Sequence, residues 1–555
     1  MPKDYDLRKH LDGRHQVLRQ RRDSWDPMAQ EIARFIKPRR GQYRVQPNQG
    51  NRGQQKTQSI LDPWASRALG TLRAGLMSGV TSPARPWFRL SLPDKTIAAQ
   101  GNVRAWLDDC GDRMRMVFNA SNVYSALPVI YEQLGQFGSG PAILEFNRED
   151  VIRLYPQSWG EYWLGINEEY RVDTLYRRFM YTHRQIVRRW GEDADKESTK
   201  KAKTAEADNE VAIMHAIEPN EAYDPGRWDW VGKRWRSCYW RDGGEQGEYL
   251  SRGGFNRFPV LAPRWDPVGN DAYSEGPGSD ALPDVKSLQI FTKRLHNAID
   301  KHVNPPMGAH ISLRGSAMSV LPGATNFFTT QDKGAGMWPL YQPNPTSIAE
   351  VRAQIQDSRQ TIDRAFHADT FLMISQMEGI QPRNELEIMS RREEKMQMLG
   401  PVLENLHDEL LQPLVQQTFD IMMENRLFLP PPEEVQGFPL EVELISILAQ
   451  AQKAADLGSV ERVWSFAGRI SAVQPSVLDK LDADETIDVY ADKLGAPSAI
   501  VVSDDRVKAI RDARAKQQAA QKAIDLAGQV ADGAKTLSET DVGGGRNALQ
   551  AVTGL

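Results

Sequence analysis

The chain has 555 residues, with 69 Lys and Arg against 73 Asp and Glu and a formal net charge of −4. That length can bury more than one core, about three or four domain-sized units, and the charge balance excludes a surface coated with DNA-neutralising cations. The 40% hydrophobic fraction is ordinary for a soluble chain, and no apolar run reaches the roughly 20 residues of a membrane helix. The start, MPKDYDLRKH, lacks the apolar stretch of a secretory signal. Cys110 and Cys238 are the only cysteines, too few for a disulfide framework, so folding in a reducing interior is expected.

In chain order, residues 5–37 read as one helix, with Leu18, Trp25, Met28, Ile32 and Ile36 near helical spacing and Pro38 as its stop. A Gly/Gln/Asn/Arg linker over 41–56 leads to helices over 59–79, 101–119 and 123–137, with the proline-rich TSPARPWFRL between the first two. From 141 to 265 the texture becomes antiparallel α+β. ILEF, YWLGI and VDTLYRRFMY read as strands, and His183–Gly191 as a short helix among them. WDWVGKRWRSCYW reads as a hairpin turning at Gly232-Lys233.

Residues 279–302 place Val285, Leu288, Phe291, Leu295 and Ile299 on one helical face. Residues 346–369 do the same with Ile348, Val351, Ile355, Ile362 and Phe366, leaving polar Ser358 in the remaining slot. Each helix spans about 36 Å. The narrow stripe on the second predicts a helix packed on one side and wet on the other, the character of a repeated wall around an aqueous channel. The Pro/Gly-rich segment 303–345 between them reads as a small β-rich excursion. Residues 370–383 read as an apolar loop bearing Phe371, Leu372, Met373, Ile374 and Met377, either packed between helices or projecting as an apolar lip.

Asn384 with Glu387 makes a capping box for a long helix to Phe428, with Leu399, Val402, Leu403, Leu406, Leu410, Leu414 and Phe419 on one face. Pro401 and Pro413 predict kinks or a break. PLEVELIS returns as a strand, 447–530 is Ala- and Gln-rich helix, and the last residues, TLSETDVGGGRNALQAVTGL, are expected to be mobile.

The chemistry-bearing patterns are few. The nine histidines are scattered without i, i+4 pairing, and there is no phosphate-binding G-x-x-x-x-G-K-[ST] loop and no G-x-S-x-G elbow. Gly543–Gly545 reads as linker. Asp479, Asp482 and Asp484 are read as caps and turn residues rather than metal ligands, and Trp228, Trp230, Trp235 and Trp240 as sheet packing rather than a base-stacking platform. Residues 1–53 hold thirteen Lys/Arg against six Asp/Glu, and Arg506–Lys522 is also basic. Either stretch is a solvated helix face or a contact for nucleic acid or an acidic partner. No enzyme and no cofactor is expected.

Several phrases converge in order: WDPMAQEIARFIKPRR, ILDPWASRALGTLRAGLMSGVTSPARPWFRL, SNVYSALPVIYEQLGQFGSG, FMYTHRQIVRRWG, FPVLAPRWDPVGNDAYSEGPGSDALPDVKSL, PRNELEI and EKMQMLGPVLENLHDELLQPL. By these the chain, over about 25–530, resembles the portal (head-to-tail connector) proteins of short-tailed, podovirus-like bacteriophages. Asn384 stands where that pattern often has Thr, and caps equally well.

The resemblance implies a mainly helical α+β fold: wing 1–278, stem helix 279–302, clip 303–345 and stem helix 346–369. Tunnel loop 370–383, wing helix and return strand 384–446, crown 447–530 and mobile tail 531–555 follow. It implies a ring of about twelve subunits at one capsid vertex of the virion, assembled in the host cytoplasm. Double-stranded viral DNA passes through such a ring. Its partners are the terminase large subunit, tail adaptor and tail tube proteins, and major capsid and scaffolding proteins, with no membrane. Phe371, Leu372, Met373 and Ile374 are then the tunnel-loop candidates. Lys293, Arg294 and Lys301 would face DNA, and Trp338 and Tyr341 would dock partners at the clip. The alternative is a non-catalytic helical scaffold or adaptor without a channel.

Overall fold

The computed structural model describes residues 4–41, 57–98, 100–245, 248–309, 311, 314, 337–339, 344–376, 399–435, 440–445, 460–471, 474–494, 502 and 504–539. They fall into two compact units, residues 1–452 and 453–555.

The first helical stretch is two helices, α1 (Asp4–Asp23) and α2 (Asp26–Phe35), where one was expected. Pro27 in the first turn of α2 has no N–H to return to the preceding turn, so the chain bends at Ser24–Trp25. α3 (Trp64–Gly79) begins after Pro63, later than the apolar spacing predicts. β1 (Phe88–Ser91), α4 (Lys95–Ala98), α5 (Gly101–Ala120) and α6 (Val123–Phe137) follow. α6 is buried nearly all round and ends on Gly138 at φ +77°, a conformation that favours glycine.

β2 (Ala142–Asn147) and β3 (Val151–Pro156) form a hairpin. β4 (Tyr162–Ile166), β5 (Val172–Thr182), β6 (Glu210–Pro219), β7 (Trp235–Arg241) and β8 (Ser251–Phe255) form an antiparallel sheet in that order. β9 (Val260–Leu261) then joins β2. Within the five-stranded sheet the period of two is plain. Tyr176, Met214, Ala216, Cys238 and Trp240 pack with Leu11 and Leu18 of α1. Ile213 and Tyr239 pack on the other side with Ile186 of α7 (His183–Trp190) and with Leu250. α7 is held by a full capping box between Thr182 and Gln185; the short α8 (Lys196–Lys201) follows it.

The expected hairpin at Gly232-Lys233 is corrected. β7 pairs with β6 rather than with residues 228–231, and 230–232 form a single 3-10 turn. Asn220 holds the connection by donating from Nδ2 to the carbonyls of Trp230, Val231 and Lys233 at 3.2, 3.3 and 2.9 Å. Among the four tryptophans, Trp240 is buried and Trp235 packs on the core, while Trp228 is fully exposed.

α9 (Pro277–Val303), β10 (Met307–Ala309), β11 (Met337–Pro339), α10 (Pro345–Ala365) and α11 (Ala368–Gln376) come next. The β excursion between the long helices is present as the antiparallel β10–β11 pair. The long helix before Phe428 is described from residue 399. Gly400–Leu406 is α-helical, His407–Leu411 is a π turn, and Gln412–Glu424 is α-helical again. Pro401 lies in a first turn, where a proline is tolerated. Pro413 follows the π turn, in which the Gln412 N–H reaches back to the His407 carbonyl; the wider turn relieves the clash its ring would make. β12 (Glu441–Leu444) pairs antiparallel with β1. Asn384, Glu387 and Met377 lie outside the described residues.

In the second unit, residues 460–471, Ala483–Leu494 and Asp504–Glu539 are helices. The last corrects the expected mobile tail over 531–539, which continues the helix. Asp482 caps the middle helix, accepting from the backbone N–H groups of Asp484 and Glu485 at 3.0 and 3.2 Å. Asp484 pairs twice with Arg511, at 2.6 and 2.7 Å. The three aspartates are thus spent on caps and pairs or stand apart, and no metal-holding acid cluster occurs among the described residues.

Candidate functional site

α9 and α10 pack against each other, and β10 pairs antiparallel with β11 between them, so the chain runs out and back. α9 buries Ala281, Leu282, Val285, Leu288, Gln289 and Thr292, and α10 buries Ile355, Ser358 and Ile362. The remaining surface of α10 is mostly exposed and polar, as its narrow stripe predicts.

A four-residue buckle, Leu61–Trp64, locks this pair to the body. Gln289 of α9 accepts from the N–H groups of Leu61 and Asp62 at 2.7 and 2.9 Å and donates to the Asp62 carbonyl at 2.9 Å. Arg359 of α10 donates from Nε and Nη2 to Asp62 Oδ2, and its guanidinium lies 4.9 Å over the Trp64 ring. Trp64 Nε1 donates to Asp363 Oδ1 at 3.0 Å. Both helices are therefore read out by one segment. Lys286 adds an ion pair to Glu31 of α2.

Residues 370–376 are helix and not loop, which corrects the sequence reading. α10 stops at Ala365; His367 turns the chain at φ +52°, and α11 begins at Ala368. Phe371 is buried at 6% exposure in the main core. Its ring lies where a side chain on Gly75 of α3 would project: a Cβ there would fall 2.2 Å from Phe371 Cγ. Aromatic packing into a glycine notch explains why an apolar segment that looks spare in sequence is ordered here. Leu372 is 46% exposed; Met373 and Ile374 lie on the same helix, and their side chains, with residues 377–383, fall outside the described residues. Lys293, Arg294 and Lys301 are all exposed on α9. Trp338 stands opposite Gly308 in the β10–β11 register, and Tyr341 lies outside the described residues.

Sequence reasoning missed the ties that assemble this region. Gly138 sits against the chain at Ser274–Gly276, and Gly140 against Ile130 and Leu134 of α6. A Cβ on Gly138 would fall 2.1 Å from the Ser274 carbonyl, and one on Gly278 would fall 2.2 Å from the Gln136 carbonyl. The phrases QFGSG and SEGPGSD thus pack backbone against backbone, aiming α9 from the end of α6. Arg264 is buried and pairs with Glu409 in the π turn while donating to the carbonyls of Asp271 and Tyr170 at 3.1 and 3.0 Å. Glu132 is buried within α6; burial pushes its carboxyl up, but hydrogen bonds and charge from Arg40 and Lys37 hold it below the ordinary value. Glycine and charge inside otherwise apolar phrases was the signal available.

Both cysteines are buried, and burial pushes each thiol up to about 12, far from reactive thiolate character. Among the described residues no helix is long and apolar enough to cross a membrane.

With this geometry in place, the class follows from comparison with known proteins. Residues 8–501 match the family model described as bacteriophage head to tail connecting protein, and the chain belongs to that family. It is 40% identical over 525 residues to the portal protein of Salmonella phage epsilon15, covering 94% of each chain. It is 38% identical over 548 residues to the probable portal protein of Bordetella phage BPP-1, covering 98% of each. A more distant overlap, at 12% identity and a TM-score of 0.34, links 79% of this chain to 90% of a chain from the virion of a native gene transfer agent particle. The portal resemblance expected from the ordered phrases is thereby established at family level, and no enzyme family is indicated.

Proposed function

We propose that copies of this chain assemble into a ring of about twelve at one capsid vertex, which DNA enters during packaging and leaves on ejection. The single observation that carries this reading is the out-and-back helix pair. It is buckled to the body at Asp62 yet leaves most of α10 polar and uncovered, as a subunit that meets its like on one side and water on another requires. Family membership across nearly the whole chain supports it. The β10–β11 tip between the helices is the docking end for terminase and tail adaptor. The helices of the second unit form the crown, and capsid and scaffolding proteins surround the wing.

In this reading Lys293, Arg294 and Lys301 supply sparse charge toward DNA. Duplex DNA carries one phosphate per roughly 1.7 Å of axis, so a densely basic wall would hold it instead of letting it slide. The lip of the channel falls to Leu372 and the residues after it, with Phe371 acting as the anchor beneath. Electron microscopy of the purified full-length chain tests the ring. Closed rings with a central hole are expected, and a stable monomer at micromolar concentration in every salt condition would overturn the proposal. Leu372→Gly should leave rings intact but impair retention or passage of DNA, whereas packaging and ejection like the parent would return that residue to ordinary surface.

A further inference from the structure

One face of α1 carries a groove that neither the helix pair nor the path of DNA uses. Lys9, His10, Gly13, Arg14, Val17, Leu18 and Arg21 of α1, with Gly165 and Ile166 of β4, line an open groove of about 320 Å³. The helical positions recur every three or four residues, so they form one stripe along the helix.

Three properties of the groove point outward. Its floor is apolar, with Val17 49% exposed in the middle. Its two ends are cationic. Arg14 is partly answered by Glu218 at 3.6 Å, which also lies 3.5 Å from the His10 ring, but Lys9 and Arg21 are exposed and make no ion pair among the described residues. Between them sits a helix-interior glycine, Gly13, with no atom within 4 Å of where its Cβ would lie. Glycine at such a position costs about 0.5–1 kcal/mol relative to alanine, and no packing within this chain requires it. A bare backbone in a groove lets another backbone approach closely.

We propose that this groove binds an acidic peptide segment with an apolar anchor, presented by a partner protein. The anchor seats on Val17 and Ile166 across Gly13, and flanking carboxylates meet Lys9 and Arg21. These two lie twelve helical positions apart, about 18 Å, which about five or six extended residues span. A DNA backbone supplies charge but nothing to cover an apolar floor, so the groove favours a peptide.

The test uses the full-length protein and a fluorescein-labelled peptide with two aspartates, a central Leu-Leu pair and two glutamates, read by anisotropy. Binding should weaken at least tenfold in Lys9→Glu/Arg21→Glu. It should also weaken at least tenfold in Gly13→Leu, which fills the groove while its thermal midpoint holds or rises, separating lost binding from lost fold. Replacing the Leu-Leu pair by Ser-Ser should cost a similar factor. Unchanged binding in Gly13→Leu, equal binding of the Ser-Ser peptide, or displacement by duplex DNA at an equal or lower concentration would each overturn the proposal. Ring formation is scored separately by microscopy, so failure here leaves the connector reading untouched.

Discussion

Arg359 and Asp62 meet through two hydrogen bonds, from Nε at 3.2 Å and Nη2 at 2.8 Å, to one oxygen of a carboxylate that is 6% exposed. The partners are far apart in sequence, and the pair fixes where α10 leaves the body. Removing one member of such a pair leaves a buried charge unanswered. Arg359→Leu should lower stability by about 2–4 kcal/mol, read as a shift in the urea midpoint at constant slope. Asp62→Asn, which keeps the shape and the local turn, should cost less; equal losses would mean the charge is irrelevant.

Gly75 and Phe371 form a notch and its filler. Phe371→Ala should destabilise by about 3–4 kcal/mol through the cavity it leaves. Gly75→Ala drives a methyl into the ring and should cost about 1–3 kcal/mol. In the double variant the new methyl occupies vacated space, so the combined loss should be smaller than the sum. Simple additivity in chemical denaturation would show that the two do not share this site.

Acid should weaken the first unit as its buried histidines are forced to take up protons. Burial against Trp163 and Tyr176 pushes the His15 imidazole down from 6.5 to about 4. His215, fully buried between Tyr239 and Arg177, is also driven down, first by burial and then by the Arg177 charge. A folded-state pKa below the unfolded one gives stability that is present above pH 6.5 and lost as pH falls toward 4. For His15 the loss is up to about 3 kcal/mol. His15→Phe should flatten the pH dependence of the thermal midpoint between pH 6.5 and 4; an unaltered slope would remove His15 as a cause.

The two thiols should be silent. With Cys110 and Cys238 buried and their pKa values near 12, the native protein should not react with a thiol reagent at pH 8, and both should react in denaturant. Prompt labelling of the native chain would place one of them at the surface.

What the sequence disclosed, and what it hid, follows from the range of the forces involved. The α9 stripe through Val285 and Leu288 and the strand β5 are local and were read correctly, whereas β6 was not read at all. The break before Pro27 and the restart at Ala368 turn on backbone chemistry, in the second case on a left-handed His367 that no spacing announces. Trp240 and Trp228 look alike in sequence, yet one is buried and one bare, because strand pairing across Asn220 decides it. The fold class and family were legible. The ties at Asp62, Gly138 and Arg264 were not, since each is made by partners more than 100 positions apart.

The pairing of β1 with β12 also sets a clock. Phe88 and Leu444, register partners, are 356 positions apart, so Phe88–Ser91 leaves the ribosome long before its partner exists. At about 5–20 residues per second the interval is roughly 20 to 70 seconds. For that time the strand edge that closes the first unit is bare, and the nascent chain resembles an open clasp. A chain truncated before β12 cannot form this pairing and would leave β1 as an unpaired strand edge.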